Sequence, residues 1–197
     1  GLAQRIFGVP KKDQTNTQRV AAKEINFGFW MGQTNKGLTV SLRKNGVMVD
    51  EDDAQRWLDE ANKTYKGAQP YKDRMVAEAA HQGYVRCLSG RIRYIGGIRS
   101  RDDHVREEAE RFAFSTPVQE GAQWLMKMAE ARLSEDILAY FWRQGRWVEP
   151  LLQIHDALLL ELEDDRDLAQ ELHTLMVGNM TYAPSEFSVP IGVEGMS

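Results

Sequence analysis

Two short apolar runs, Leu151-Leu152 and Leu158-Leu159-Leu160, flank Gln153-Ile154-His155-Asp156 and limit the folds open to this chain. Runs this short, bounded by Pro150 before and Glu163-Asp164-Asp165 after, read as two buried strands. An antiparallel hairpin must therefore be built into a chain that is otherwise rich in helical pattern. The His-Asp pair falls on its tight turn. A carboxylate pushed out of an apolar layer there needs a cation or a hydrogen-bond partner. Taken alone, an ordinary polar turn is the simpler account of these residues.

Upstream of the hairpin the pattern is mainly helical. Leu2 to Phe7 reads as the end of a short helix closed by Gly8 and Pro10, and Thr15 or Asn16 can cap the next, running to about Met31. On that second helix Ala21, Ile25, Gly28, Phe29 and Gly32 form a small, apolar stripe. The other face carries Arg19, Lys23, Asn26, Phe27 and Trp30, an unusual set for a solvent face. Gly37 to Val49 is mixed, with a turn at Asn45-Gly46. Helices are expected from Asp52 or Asp53 to Tyr65 and from Tyr71 to Gln82, then a hairpin across Ser89-Gly90. Helical pattern resumes from Asp102 to Phe114, is interrupted by Pro117, and continues from Val118 to about Tyr140. Pro150 restricts the first late strand to an edge or a bulge. Asp165 to Val177 reads as helix, and Phe187 to Val193 as a last strand. The layout is α+β, helix-rich first, with antiparallel strands concentrated late.

Composition narrows the setting. The single cysteine, Cys87, excludes an intramolecular disulfide and fits a reducing compartment. No run approaches the roughly 18 apolar residues of a membrane span, so no membrane partner is expected. A first residue of Gly rather than Met fits a processed or excised piece. Net charge is −4, against a uniformly basic nucleic-acid coat, yet Arg86, Arg91, Arg93, Arg99, Arg101, Arg106 and Arg111 crowd one segment. Such a surface can bind phosphate in a salt-dependent way, or it can be a solvated face paired with Asp102, Asp103, Glu107, Glu108 and Glu110.

Gln18-Arg19-Val20-Ala21-Ala22-Lys23-Glu24-Ile25-Asn26-Phe27-Gly28 resembles the fingers-helix motif of family A DNA polymerases, the DNA polymerase I type. Two further segments agree in the family's order. Glu110-Arg111 with Pro117-Val118-Gln119 is similar to the segment feeding a long palm helix, and Gln153-Ile154-His155-Asp156 is similar to the palm hairpin. Gly83-Tyr84 through Arg93-Tyr94 matches the intervening hairpin, so the resemblance covers nearly the whole chain.

The resemblance implies a helical fingers region over residues 1–100 and the C-terminal part of the palm over 101–197, an antiparallel sheet with packed helices. It implies that Arg19 and Lys23 hold the triphosphate of an incoming deoxynucleotide and that Phe27 contacts its sugar and base. Lys23 would stabilise the leaving pyrophosphate. Arg111, Gln119, Gln153 and His155 would touch primer-template DNA. Asp156 would be a catalytic ligand of two magnesium ions. The expected setting is a bacterial cytoplasm or viral replication in a host cytoplasm.

Departures from the family pattern carry their own expectations. The family's first catalytic motif, an Asp-Tyr-Ser-type strand, does not occur before the fingers helix here. Ala157 stands where a Glu usually follows His-Asp. Glu161, roughly 16 Å along a strand from Asp156, is too far to share its metal. The isolated chain is therefore expected to be inactive, with the other aspartate supplied by an upstream segment or partner subunit. Met31 replaces a usual Tyr, Ser115 a usual Asn and Glu120 a usual Gly, which points to a divergent, phage-like member. Two other readings stay open: a non-catalytic DNA-binding or assembly module derived from a polymerase, and a relative of single-subunit RNA polymerases.

Overall fold

The computed structural model describes residues 1–193. Its helices are α1 (Leu2–Phe7), α2 (Asn16–Trp30), α3 (Asn35–Lys44), α4 (Glu51–Thr64), α5 (Ala68–Gln82), α6 (Asp103–Arg132), α7 (Ala139–Arg143) and α8 (Arg166–Thr181). Strands β1 (Tyr84–Arg86) and β2 (Ile92–Tyr94) form one antiparallel hairpin, and β3 (Val148–Ile154) and β4 (Ala157–Leu162) a second. The class is α+β, as expected. The chain divides into two compact units, Gly1–Gln119 and the residues from Glu120 on.

The first unit has two cores. Ala21, Ile25 and Phe29 of α2 meet Leu38 and Leu42 of α3 and Ala54, Leu58 and Ala61 of α4, with Leu2 of α1. Phe7 lies edge-on to Trp57 at 5.7 Å beside them. The second core joins Ala79 of α5, Val85 of β1, and Ala109 and Ala113 of α6 to Ile95 and Ile98. Local signals set most boundaries. Gly8 and Gly83 close α1 and α5 with φ 67° and 84°, and Asp50 caps α4 by accepting from Asp53 N–H at 2.7 Å.

Helix α3 was not legible in the sequence. Gly37, Thr39, Val40 and Ser41 are poor helix formers. Thr34 caps the helix at Gly37 N–H (3.2 Å), and Leu38 and Leu42, one turn apart, are fully buried. Burial on one face outweighs the weak local preference.

Pro117 does not interrupt α6, which runs unbroken from Asp103 to Arg132. A proline inside a helix removes one backbone bond and crowds the carbonyl four residues back, which ordinarily costs about 3 kcal/mol. Ala113, Phe114 and Ser115 are buried just before it. That burial holds the helical path across the defect.

In the second unit Leu133, Ile137, Leu138 and Phe141 pack with Val148 and with Leu168, Leu172 and Met176 of α8. A π-helical stretch, Leu133–Leu138, turns three of these inward. Buried Asn179 is satisfied: it donates to Ala129 O at 2.8 Å and accepts from Arg132 Nε at 2.8 Å.

The late hairpin departs from expectation in its burial. Its ladder pairs Val148 with Leu162 and Ile154 with Ala157, with a register shift between Pro150 and Leu152, so Pro150 sits beside a bulge as its chemistry requires. Leu158, Leu160 and Leu162 face the core. Leu152, Leu159 and Ile154, on the other pleat, are 49%, 46% and 54% exposed. The two strands are therefore buried on one side only. A two-stranded sheet has two faces, and the described residues supply cover for one. The expected last strand, Phe187 to Val193, is irregular backbone, consistent with Pro190 lacking a donor.

Candidate functional site

Helix α2 is held from both ends. At its start Thr15 accepts from Gln18 N–H at 3.2 Å while Gln18 Oε1 accepts from Thr15 N–H at 2.9 Å, a reciprocal capping box. The buried stripe fixes its rotation, as Ala21, Ile25, Gly28 and Phe29 are all in the core. Arg19 and Lys23 are consequently exposed one above the other, neither in an ion pair among the described residues, and Phe27 is 59% exposed one turn on. Two unpaired cations and a bare aromatic ring line up along one face.

Close approach favours glycine on this helix and requires it just beyond its end. A Cβ on Gly28 would stand 2.5 Å from Gln33 Oε1 and 3.3 Å from Leu38 Cδ1. Gly32, at φ 68°, lies where a Cβ would meet Phe114 Cζ at 2.5 Å and Arg111 Cγ at 3.1 Å. The chain leaving α2 thus passes directly over α6. Asn26 Oδ1 and Gln33 Oε1 are buried beside it without a hydrogen-bond partner among the described residues.

Two sequence-predicted residues of α6 fall in this neighbourhood. Arg111 is half-buried and lines an open groove of about 590 Å³ with Gly32, Gln69, Lys72, Glu107 and Glu110. Gln119 donates from Nε2 to Met31 Sδ at 3.2 Å. Its amide is therefore engaged by the methionine that stands in place of the expected tyrosine.

Sequence reasoning missed Lys72 and Tyr71 on α5. Lys72 Nζ donates to Phe29 O at 3.0 Å, in the last turn of α2, and sits 3.9 Å from the Phe29 ring centroid and 5.0 Å from that of Phe114. A carbonyl at a helix C-terminus and two ring faces are all attractive to a cation. Burial holds the ammonium below its usual pKa. Lys72 also lines a second cleft, of about 340 Å³, with Phe29, Gln33, Thr34 and Asn35. Next to it Tyr71 donates its hydroxyl to Phe114 O at 2.9 Å, and burial pushes its pKa up to about 12. The available signal was a lysine on an apolar face, three residues before Met75 and four before Val76.

In the second unit the His155-Asp156 turn is a two-residue loop closing β3 on β4. His155 has φ 53°, the one positive φ outside glycine among the described residues. Histidine adopts this region more readily than most side chains, at a modest cost. Gln153 Nε2 donates to His155 O at 2.7 Å and braces the turn. Asp156 is exposed and without an ion pair among the described residues.

A pair of hard cations needs several oxygen ligands. Among the described residues no group of three or more His, Cys, Asp and Glu side chains could hold a metal ion. Glu161 pairs with Glu149 toward the far end of the hairpin. The described residues by themselves do not fit a two-magnesium site; Asp156 offers one ligand.

The basic segment resolves into two kinds of arginine. Arg106 pairs with Asp103 and, at 3.9 Å, with Glu110, and Arg99 donates to Ala80 O and His81 O at the end of α5. Arg86, Arg91 and Arg93, around the β1–β2 hairpin, are exposed and in no ion pair among the described residues. No helix is long and apolar enough to cross a membrane among the described residues.

Residues 1–197 match the family model described as DNA polymerase family A. DNA polymerase I of Pseudomonas aeruginosa is 34% identical over 194 residues, 98% of this chain and 20% of that protein. Thermostable DNA polymerase I of Thermus aquaticus is 32% identical over 195 residues, 98% of this chain and 22% of that one. A solved structure of the POL domain of Pol1 from M. smegmatis, in complex with DNA primer-template and dNTP, superposes with a TM-score of 0.78 at 28% identity. It covers 96% of this chain and 31% of its own. The chain thus spans about a fifth of the length of the two curated relatives.

Proposed function

This chain belongs to DNA polymerase family A, and from that premise we propose that it carries the nucleotide-binding helix and one catalytic carboxylate of a template-directed DNA polymerase. The reaction is deoxynucleotidyl transfer to a primer 3′-hydroxyl. The observation that carries this reading is the α2 face, where Arg19, Lys23 and Phe27 are exposed together on a helix whose opposite stripe is buried. Solubility alone gives no reason for a bare ring in line with two unpaired cations. Arg19 and Lys23, one turn apart, neutralise adjacent phosphates of the incoming triphosphate. Lys23 stabilises charge that builds on the pyrophosphate as it leaves. Phe27 packs against sugar and base.

Residues 1–100 serve as fingers and 101–197 as the C-terminal part of the palm. Arg111, Gln119, Gln153 and His155 contact the primer-template, which needs no sequence readout. Asp156 contributes one carboxylate toward magnesium, with the remaining ligands supplied by an upstream segment or subunit outside this sequence. The setting is a bacterial cytoplasm or that of a virus's host.

The test is primer extension with magnesium, the chain being combined with a family A segment that carries the first catalytic motif. Extension is expected with the parent chain and none with Asp156→Ala, while Lys23→Ala lowers turnover by about 100-fold or more. Equal extension by parent and Asp156→Ala removes the catalytic assignment.

The lack of a metal-holding cluster among the described residues, together with Ala157, favours a second reading, a non-catalytic DNA-binding module. That reading predicts salt-sensitive DNA binding indifferent to nucleotide and to Lys23→Ala, with no extension in any combination.

A further inference from the structure

The most basic stretch of the chain carries none of the residues assigned to nucleotide binding or catalysis. Between Tyr84 and Arg101 the sequence carries five arginines and no aspartate or glutamate, on a chain of net charge −4. Arg99 is spent on the carbonyls at the end of α5. The others gather on and after the β1–β2 hairpin, whose register pairs Tyr84 with Tyr94, Val85 with Arg93 and Arg86 with Ile92.

That register sorts the hairpin into two faces. Val85 is fully buried against Ala79, Ile95 and Ala109, so one face is anchored on the second core. Tyr84, Arg86, Ile92 and Tyr94 share the other pleat. Tyr94 is 71% exposed, and its ring meets that of Tyr84 edge-on at 5.8 Å. Arg86 donates from Nη1 to Gly90 O at 3.1 Å, which holds the guanidinium over the turn, and Arg91, exposed, lies in that turn just before β2. The result is an open aromatic ring, steadied from the side by a second ring, beside cations that no carboxylate among the described residues neutralises.

We propose that this outer face of the β1–β2 hairpin is a docking surface for single-stranded nucleic acid, with Tyr94 stacking on a base and Arg86 and Arg91 on the flanking phosphates. The chemistry selects the occupant. Uncompensated arginines call for a polyanion, and an exposed ring beside them adds affinity only if the polyanion also presents flat faces. A single strand presents both, whereas a duplex hides its base faces in its own stack. An acidic peptide offers charge without the faces. The surface uses none of the residues assigned to nucleotide binding or catalysis, so it stands or falls independently of them.

The experiment follows the fluorescence anisotropy of a labelled oligothymidine of about 16 nucleotides, titrated with the whole chain at several salt concentrations. A blunt duplex and an unlabelled polyglutamate peptide serve as competitors. Tyr94→Ala is expected to weaken single-strand binding by about 5- to 150-fold, while Tyr94→Phe retains it. Arg86→Gln combined with Arg91→Gln is expected to reduce the salt slope by about 1.4 without touching the ring pair. Matched melting temperatures report that the exposed substitutions leave the fold intact. Parent-like binding by both Tyr94→Ala and the arginine double variant overturns the proposal, as does competition by polyglutamate equal to that of unlabelled oligothymidine. Loss of binding in Lys23→Ala with Tyr94→Ala unaffected also overturns it and leaves the polymerase reading intact. The reverse pattern sustains the surface even where primer extension fails.

Discussion

Tyr71 and Lys72 are neighbours on α5, and burial penalises the charged form of each. For Lys72 that lowers the pKa, so the folded state resists the ammonium that the unfolded chain carries freely. The carbonyl of Phe29 and two aromatic rings offset the cost and tie α5 to the end of α2. For Tyr71 burial raises the pKa to about 12 from 10.0, against a smaller lowering by Arg74. The unfolded chain then loses the phenolic proton first as pH rises. The stability Tyr71 contributes is complete below about pH 10 and is lost between pH 10 and about 12. Urea midpoints at pH 9 and pH 11.5 are expected to fall less for Tyr71→Phe than for the parent chain. Equal losses would remove the buried phenol as the cause. Glu171 shows the opposite case: hydrogen bonds from Tyr140 and then Arg146 hold its carboxyl below the usual range.

Helix α2 is the element on which the functional reading depends, and its order starts at the capping box. Thr15→Ala removes a side-chain acceptor from Gln18 N–H and is expected to cost about 0.5–2 kcal/mol. The first turn then frays, and Arg19 lies in it. A urea titration should register the loss of stability, and nucleotide titration should register weaker binding, with Thr15→Ser recovering both. Weaker stability with unchanged nucleotide affinity would separate Arg19 from the site. Helix α6 makes the contrasting case. Its sequence contains the strongest local stop signal available, yet it continues through Pro117 because burial around Ala113 to Ser115 outweighs one lost backbone bond. Gly32 and Phe114 meet so closely that neither element could be described from its own sequence.

At the scale of the whole molecule, charge and apolar surface are both unevenly distributed. A net −4 chain shows a basic hairpin in its first unit, and in its second a β3–β4 face bearing Leu152, Ile154 and Leu159 in the open. A two-stranded sheet with an apolar outer face and unpaired edges favours association. Leu159→Glu is expected to lower light scattering of the isolated chain at equal concentration without lowering its melting temperature. Unchanged scattering would mean that this face takes no part in association. Features that depend on a few neighbouring residues are written directly in the order of the chain. Helix starts at Thr15 and Asp165, stops at Gly8 and Gly83, the hairpin turns at Ser89-Gly90 and His155-Asp156, and the α+β class were all legible, as was the shared face of Arg19, Lys23 and Phe27. Capping, positive φ and side-chain periodicity act over one or two turns of chain, so the order of residues states them directly. Tertiary structure alone decided that α3 is a helix, that α6 crosses Pro117, that Lys72 lies between Phe29 and Phe114, and that the leucine hairpin is covered on one side only. Each of these depends on burial against partners far along the chain, and the free energy of that burial is absent from any local stretch of sequence.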